Sequence, residues 1–248
     1  MSTQWDPDEA YDPHQLEKQK VLNLPEIPRV LPYDGARNPL TRSNRAHRIL
    51  MPIATPATNG VPKAYYFDGG AEWAVALEVL LDPDLYALDV QLPFFRYQRS
   101  VGSKTTKPKH YFDMRITLRN QFRFAIYVKN GSSLGRRETQ DEIAAIEKAM
   151  PHDLADEMIV VNGDDYTRPL RTNLHCFWIV CGDRDNEADE HVWERATTTS
   201  YWSAKDLIAN CDLPSNRVFP SIQRLIARRF LGADWYSVIS WHSRIWMI

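Results

Sequence analysis

HYFDMRITL (His110 to Leu118), the turn Arg119-Asn-Gln and FRFAIYVK (Phe122 to Lys129) together decide how this chain is read. Both runs are crowded with β-branched and aromatic side chains, which pack well on a pleated surface. The polar residues between them suit a chain reversal, so the stretch predicts a hairpin of core strands. Asp113 falls on its first strand and Lys129 at the end of its second. When both face one side, such a hairpin sets a carboxylate beside an ammonium.

Upstream, AEWAVALEVLL (Ala71 to Leu81) spaces Trp73, Ala76, Leu77, Leu80 and Leu81 at three- and four-residue intervals, which predicts a buried helix carrying Glu72 near its start. Asp82-Pro-Asp stops it, because proline disfavours helical geometry in the residue before it. A strand is expected near Leu88 to Tyr97, followed by a polar loop from Ser100 to Lys109. Downstream, Glu138 to Met150 predicts a second helix, with acids near its start and Lys148 near its end. Met158 to Val161 reads as a buried parallel strand after a crossover. A further helix is expected after Arg168-Pro-Leu-Arg-Thr-Asn, through Leu174 to about Val180. The order helix, strands, helix, strand predicts an α/β domain over 63–182.

Outside that domain the texture differs. Prolines are frequent through residue 62, so 1–62 reads as an extended arm, with a basic strip in which Arg37, Arg42, Arg45 and Arg48 stand without an acid. Asp183 to Glu190 reads as an exposed linker, and 190–248 as a small C-terminal domain. Helices over Ser203 to Asn210 and Ser221 to Leu231, then a hairpin in WYSVISWHSRIWMI, predict a winged-helix-like module with Arg224, Arg228 and Arg229 projecting outward, the alternative being a docking module for another protein.

The chain has 248 residues and a net charge of -2, which argues against wholesale adhesion to nucleic acid and makes local charge the informative quantity. Three cysteines, Cys176, Cys181 and Cys211, make neither a disulfide framework nor a four-ligand zinc set, and they read as buried reduced thiols. The acidic N-terminus lacks the pattern of a signal peptide, and no window holds the ~18 apolar residues of a membrane span. A cytoplasmic protein without membrane contact is expected.

Phosphodiester hydrolysis explains why Glu72, Asp113 and Lys129 matter together. Carboxylates hold Mg²⁺ (or Mn²⁺) through oxygen, and a lysine orients or helps deprotonate the nucleophile. Each residue also has a plain alternative: Glu72 a solvated helix acid, Asp113 a partner for Arg115, Lys129 an edge-strand charge. The local field favours the catalytic reading. Arg96, Arg99, Lys104, Lys107, Lys109, Arg115, Arg119 and Arg123 surround Asp113 with no other acid between Phe95 and Arg123, as a metal-and-polyanion site requires. Arg42, Arg45, Lys104, Lys107, Lys109, Arg224 and Arg228 are the candidate DNA contacts.

Several motifs in order then carry a family likeness. Phe67-Asp-Gly-Gly-Ala-Glu72 with the helix ending in Leu81-Asp-Pro-Asp84, Gln91-Leu-Pro93, Tyr111-Phe-Asp113, Val128-Lys129 and Arg168-Pro-Leu-Arg-Thr-Asn-Leu174 resemble the pattern of the TnsA endonuclease subunits of heteromeric bacterial transposases. The likeness spans about Ala36 to Val180. It implies a restriction-endonuclease-like mixed sheet flanked by helices, with Glu72 and Asp113 as metal ligands and Lys129 as the catalytic lysine. It further implies Mg²⁺-dependent cleavage of double-stranded DNA at the 5′ ends of a mobile element in the bacterial cytoplasm. The partners it implies are an integrase-type transposase subunit and an ATPase regulator subunit. One position departs: Tyr127 stands where the superfamily has Glu or Gln, and a phenol is a poor Mg²⁺ ligand. Glu138, Gln140 and Glu142 are the nearby oxygen donors. The alternatives are a catalytically degenerate DNA-binding or assembly subunit, and a restriction or repair nuclease of the same superfamily.

Overall fold

A computed structural model describes Leu24 and residues 26–37, 48–101 and 104–248. The chain is mixed α/β. β1 (Ile49–Ile53) pairs antiparallel with β2 (Lys63–Phe67), and α1 (Gly70–Val79) follows. Then come β3 (Leu85–Val90), β4 (Phe95–Arg96), β5 (Arg99–Val101), β6 (Lys104–Thr106), β7 (Lys109–His110), β8 (Met114–Leu118) and β9 (Arg123–Lys129). A short α2 (Gly131–Leu134), α3 (Arg137–Ala149) and β10 (Glu157–Asn162) complete the strand-bearing region.

The central sheet has the order β10-β9-β8-β3. β8 pairs antiparallel with both β9 and β3, while β10 returns through α3 and pairs parallel with β9. The expected hairpin is therefore the middle of the sheet, with Met114 opposite Ile126. One side of the sheet packs on α1 through Leu88, Val90, Met114, Ile116 and Ile126. The other packs on α3 through Ala125, Tyr127 and Ile146. α1 is enclosed more fully than one apolar face predicts, because Ala74, Val75, Ala76 and Leu77 are buried in succession.

Four sequence expectations change here. The arm does not extend to residue 62: β1 sends Met51 and Ile53 into the α1 core, and Leu31 bridges to Lys63. The segment around 100–109 is not a plain loop, since β5 and β6 form a hairpin and β7 returns to β4. The strand expected to reach Tyr97 ends at Val90. β10 is only half-buried, because it is the edge of the sheet rather than an interior strand.

The C-terminal region differs as well. α4 (Arg168–Gly182) begins at Arg168 itself, with Pro169 in its first turn, where a missing N–H costs nothing. α5 (Asn186–Thr198) begins inside the expected linker, its first turn capped by the Asp185 side chain. α6 (Ala204–Ala209), α7 (Ser215–Ala227), β11 (Leu231–Ala233) and β12 (Ile245–Met247) follow. The hairpin pairs β11 with β12, so its first strand precedes the stretch expected to supply both. α4 joins the two halves: Leu170 and Leu174 pack in the α1 core, and Phe177 packs with Val192, Leu207 and Ile222. Asn173 fixes the junction by donating to the Trp235 and Ser237 carbonyls at 2.9 and 2.8 Å and accepting from the Ile239 N–H at 2.9 Å. The three cysteines are free and half-buried. No described helix is long and apolar enough to cross a membrane.

Candidate metal centre

The site lies where β3 and β8 stop being regular. Residues two apart on a strand share a face. Val90 and Leu92 nevertheless lie in different cores, as do Met114 and Phe112. The break falls on Gln91, whose φ of 53° is left-handed, and on Asp113 opposite it. The Gln91 N–H donates to the Asp113 carbonyl at 2.8 Å, and the Asp113 N–H donates to the Ile126 carbonyl at 3.1 Å, so the main chain stays paired. The Gln91 side chain meets Glu72 from the first turn of α1, and Asp113 lies within electrostatic reach of the same carboxyl.

Gln91 organises the cluster. It is 1% exposed, and its Nε2 donates to Glu72 Oε2 at 3.4 Å. The same carboxylate oxygen accepts from the Asp68 N–H at 3.1 Å. Asp113 Oδ2 accepts from the Val128 N–H at 2.8 Å, which ties it to the end of β9. Burial, then the charge of Asp113, push the Glu72 carboxyl up to about 8, against the Asp68 N–H and Arg37. Burial raises Asp113 to about 6, opposed by the Val128 N–H, Arg37 and Lys129. Two facing carboxyls thus share too little positive charge to be comfortably ionised together.

Lys129 is within electrostatic reach of Asp113, and its ammonium lies 4.6 Å from the centre of the Tyr127 ring. Tyr127 points into the α3 core against His110 and Phe112, and burial raises its phenol further from ionisation. It is no substitute for a carboxylate. The nearby donors do not replace it either. Glu142 accepts from the Tyr97 hydroxyl at 2.6 Å, Gln140 donates to the Leu134 carbonyl at 3.3 Å, and Glu138 is exposed in the first turn of α3. Among the described residues, no three His, Cys, Asp or Glu side chains form a ready ligand set. The oxygens that could serve a hard divalent ion are those of Glu72 and Asp113 and, once freed of Arg37, the Gln91 amide, with Asp68 at the rim. That chemistry fits Mg²⁺, which is held by one or two carboxylates and retains water.

The structure brings Glu72 and Asp113 together with Lys129 nearby, and it removes one plain alternative, since Arg115 pairs with Asp89 at 2.8 Å rather than with Asp113. Lys107, between β6 and β7, and Lys109, on β7, are exposed on the segment leading to Asp113, and Lys109 sits 4.1 Å over Phe94. Lys104 lies on β6. Arg42 and Arg45 lie outside the described residues.

Arg224 does not project outward as expected, whereas Arg228 keeps an exposed side chain. Arg224 is 2% exposed and binds Asp189 at 2.7 Å, and Arg228 binds the other oxygen of Asp189 at 2.8 Å. α7 is central in its region, buried continuously from Ser221 to Ala227 between α4, α5 and α6, so Arg224 has no outward side.

Sequence reasoning missed three residues. Gln91 appeared only within a strand motif, Asp68 only as a flank of α1, and Arg37 only in a basic strip. Their signal was weak: a glutamine breaking an apolar strand before Leu92-Pro93, and an arginine 54 residues from its partner. Compared with known proteins, the chain matches no protein-family model, and no curated protein is measurably similar to it.

Proposed function

We propose that this protein is a divalent-metal-dependent DNA endonuclease, acting as the TnsA-like subunit of a heteromeric transposase. The observation that carries the reading is the Glu72, Gln91 and Asp113 cluster at the broken edge of β3 and β8, with Lys129 beside it. Glu72, Asp113 and the Gln91 amide would hold Mg²⁺ or Mn²⁺. When bound, the metal supplies Lewis-acid activation of water and neutralises charge on the scissile phosphate. Lys129 orients the attacking water or holds a proton near it, and the exposed Lys107 and Lys109 hold the DNA backbone. On this reading the central sheet is a restriction-endonuclease-like core, and α5 to β12 form a winged-helix-like module that uses a surface other than α7. Double-stranded transposon ends, an integrase-type transposase subunit and an ATPase regulator subunit are the partners it requires, and cleavage falls at the 5′ ends.

Tyr127 favours one second reading, a nuclease-fold subunit that binds DNA or assembles the complex without cutting. Cleavage of transposon-end DNA with Mg²⁺ or Mn²⁺, in the presence of the neighbouring transposase proteins, separates them. Metal-dependent 5′-strand nicking lost in Asp113→Asn and Lys129→Ala supports the nuclease. No nicking from a demonstrably assembled complex supports the scaffold.

A further inference from the structure

The chain places one of its own cations on the candidate metal centre. Arg37 Nε donates to Gln91 Oε1 at 2.6 Å, and Nη2 donates to the same oxygen. Nη2 also lies 3.4 Å from Asp68 Oδ2, and the guanidinium carbon lies 5.0 Å from the centre of the Tyr111 ring. An amide oxygen has two lone pairs. Both are therefore committed to one guanidinium, and no lone pair of Gln91 Oε1 is left for a metal. The main chain holds this arrangement in place. The Ala36 N–H donates to the Gln91 carbonyl at 2.8 Å, and the Tyr33 hydroxyl donates to the Arg37 carbonyl at 3.0 Å. The Arg37 side chain is 37% exposed, so water reaches the guanidinium.

We propose that Arg37 is a displaceable counter-ion of the Glu72 and Asp113 pair, closing the site to a divalent cation until its guanidinium withdraws from Gln91. This rests on the metal-nuclease reading. A +2 ion and a guanidinium cannot share the Gln91 oxygen, and in these partly buried surroundings they repel each other. Metal binding therefore has to break charge-assisted hydrogen bonds that the metal-free chain already makes. Arg37 is held through the packed segment 26–37, so whatever pulls residues 33–37 away from Gln91 also opens the site.

The test is Mn²⁺ binding to the full chain without DNA, measured for wild type, Arg37→Gln and Arg48→Gln by loss of the free-ion spin-resonance signal. Arg48 is the electrostatic control, since its Nε is 3.8 Å from Asp68 Oδ1 and its loss removes the same charge beside the same acid. Arg37→Gln should tighten Mn²⁺ about tenfold or more, and Arg48→Gln only a few-fold. Hydrogen exchange on the unaltered protein gives an independent reading: saturating Mn²⁺ should speed exchange at the Ala36 amide. Equal affinities for wild type and Arg37→Gln, or equal tightening in both variants, overturn the proposal while leaving the metal site standing. Unchanged Ala36 exchange in a metal-saturated wild type also overturns it. If no form binds Mn²⁺ at millimolar concentration, the proposed function falls with it.

Discussion

At the Gln91 end of the central sheet, two carboxyls lie within electrostatic reach of each other, offset among the described residues by Arg37 and Lys129, and both are pushed above the ordinary acid range. Between α5 and α7 the balance is reversed. Asp189 is held by Arg224 and Arg228 on its two oxygens, and Arg217 binds Asp185 at 2.8 Å and Glu187 at 2.6 Å. Asp185 is held down at about 2 by its hydrogen bond to Arg217. A cluster whose charges are matched has little left to offer a ligand, and one with surplus negative charge has an open claim on a cation. Arg224 and Arg228 resemble part of a DNA-binding face in sequence, but with Arg217 they bind acids at the start of α5.

The sharpest way to break this contrast is to alter the unmatched cluster. Lys129→Ala should lower DNA cleavage by about 10²–10⁴-fold, and Asp113→Asn should remove it, without loss of folding by circular dichroism. Wild-type rates in Asp113→Asn would contradict the site. In the matched cluster the effect should fall on stability instead. Asp189→Ala strands Arg224 without its partner and should cost roughly 3–5 kcal/mol in denaturant unfolding. A loss well under that would mean the pair is not the structural element described.

Acidity distinguishes the two clusters further. Glu72 and Asp113 have raised values in the fold, so between the ordinary acid range and about 8 the folded chain holds more protons than the unfolded one. Their contribution to stability is complete below the unfolded values and is lost as pH rises through about 6 and about 8. His110, lowered to about 4 by burial, contributes in the opposite direction, above its unfolded value, and loses that as pH falls. Comparing metal-free wild type with Glu72→Gln isolates the first effect: the variant should show a smaller fall in melting temperature between pH 5 and 8. A steeper fall in the variant would reverse the assignment. The smallest effect is expected at the exposed Arg195–Asp212 pair, where Asp212→Asn should cost ~0.2–1 kcal/mol in the same unfolding assay.

Much of the fold was legible because its pattern is local. β8 and β9 declare themselves by β-branched and aromatic content, and α3 by a half-apolar face with Ile143, Ile146 and Met150 in register. Glu72 and Asp113 were legible as types in a basic field. The link between them was not, because a left-handed Gln91 has no sequence signature and its contact with Arg37 is set by where the segment 26–37 packs. Arg224 misled for a related reason. The spacing of Ile222, Leu225 and Ile226 gives a buried face only if one partner covers the helix, and α7 has partners on several sides. Asn173 was quoted as part of a motif, and its work is to pin Trp235, Ser237 and Ile239 to α4, which only the tertiary contacts reveal.

The most direct test of the central claim is a Mn²⁺-soaked crystal of the wild-type protein measured at a wavelength where manganese scatters anomalously. The account predicts one strong peak bounded by Glu72, Asp113 and the Gln91 amide oxygen, with the Arg37 guanidinium moved off that oxygen. A peak elsewhere, or none at millimolar Mn²⁺ with Arg37 still bonded to Gln91, would contradict it.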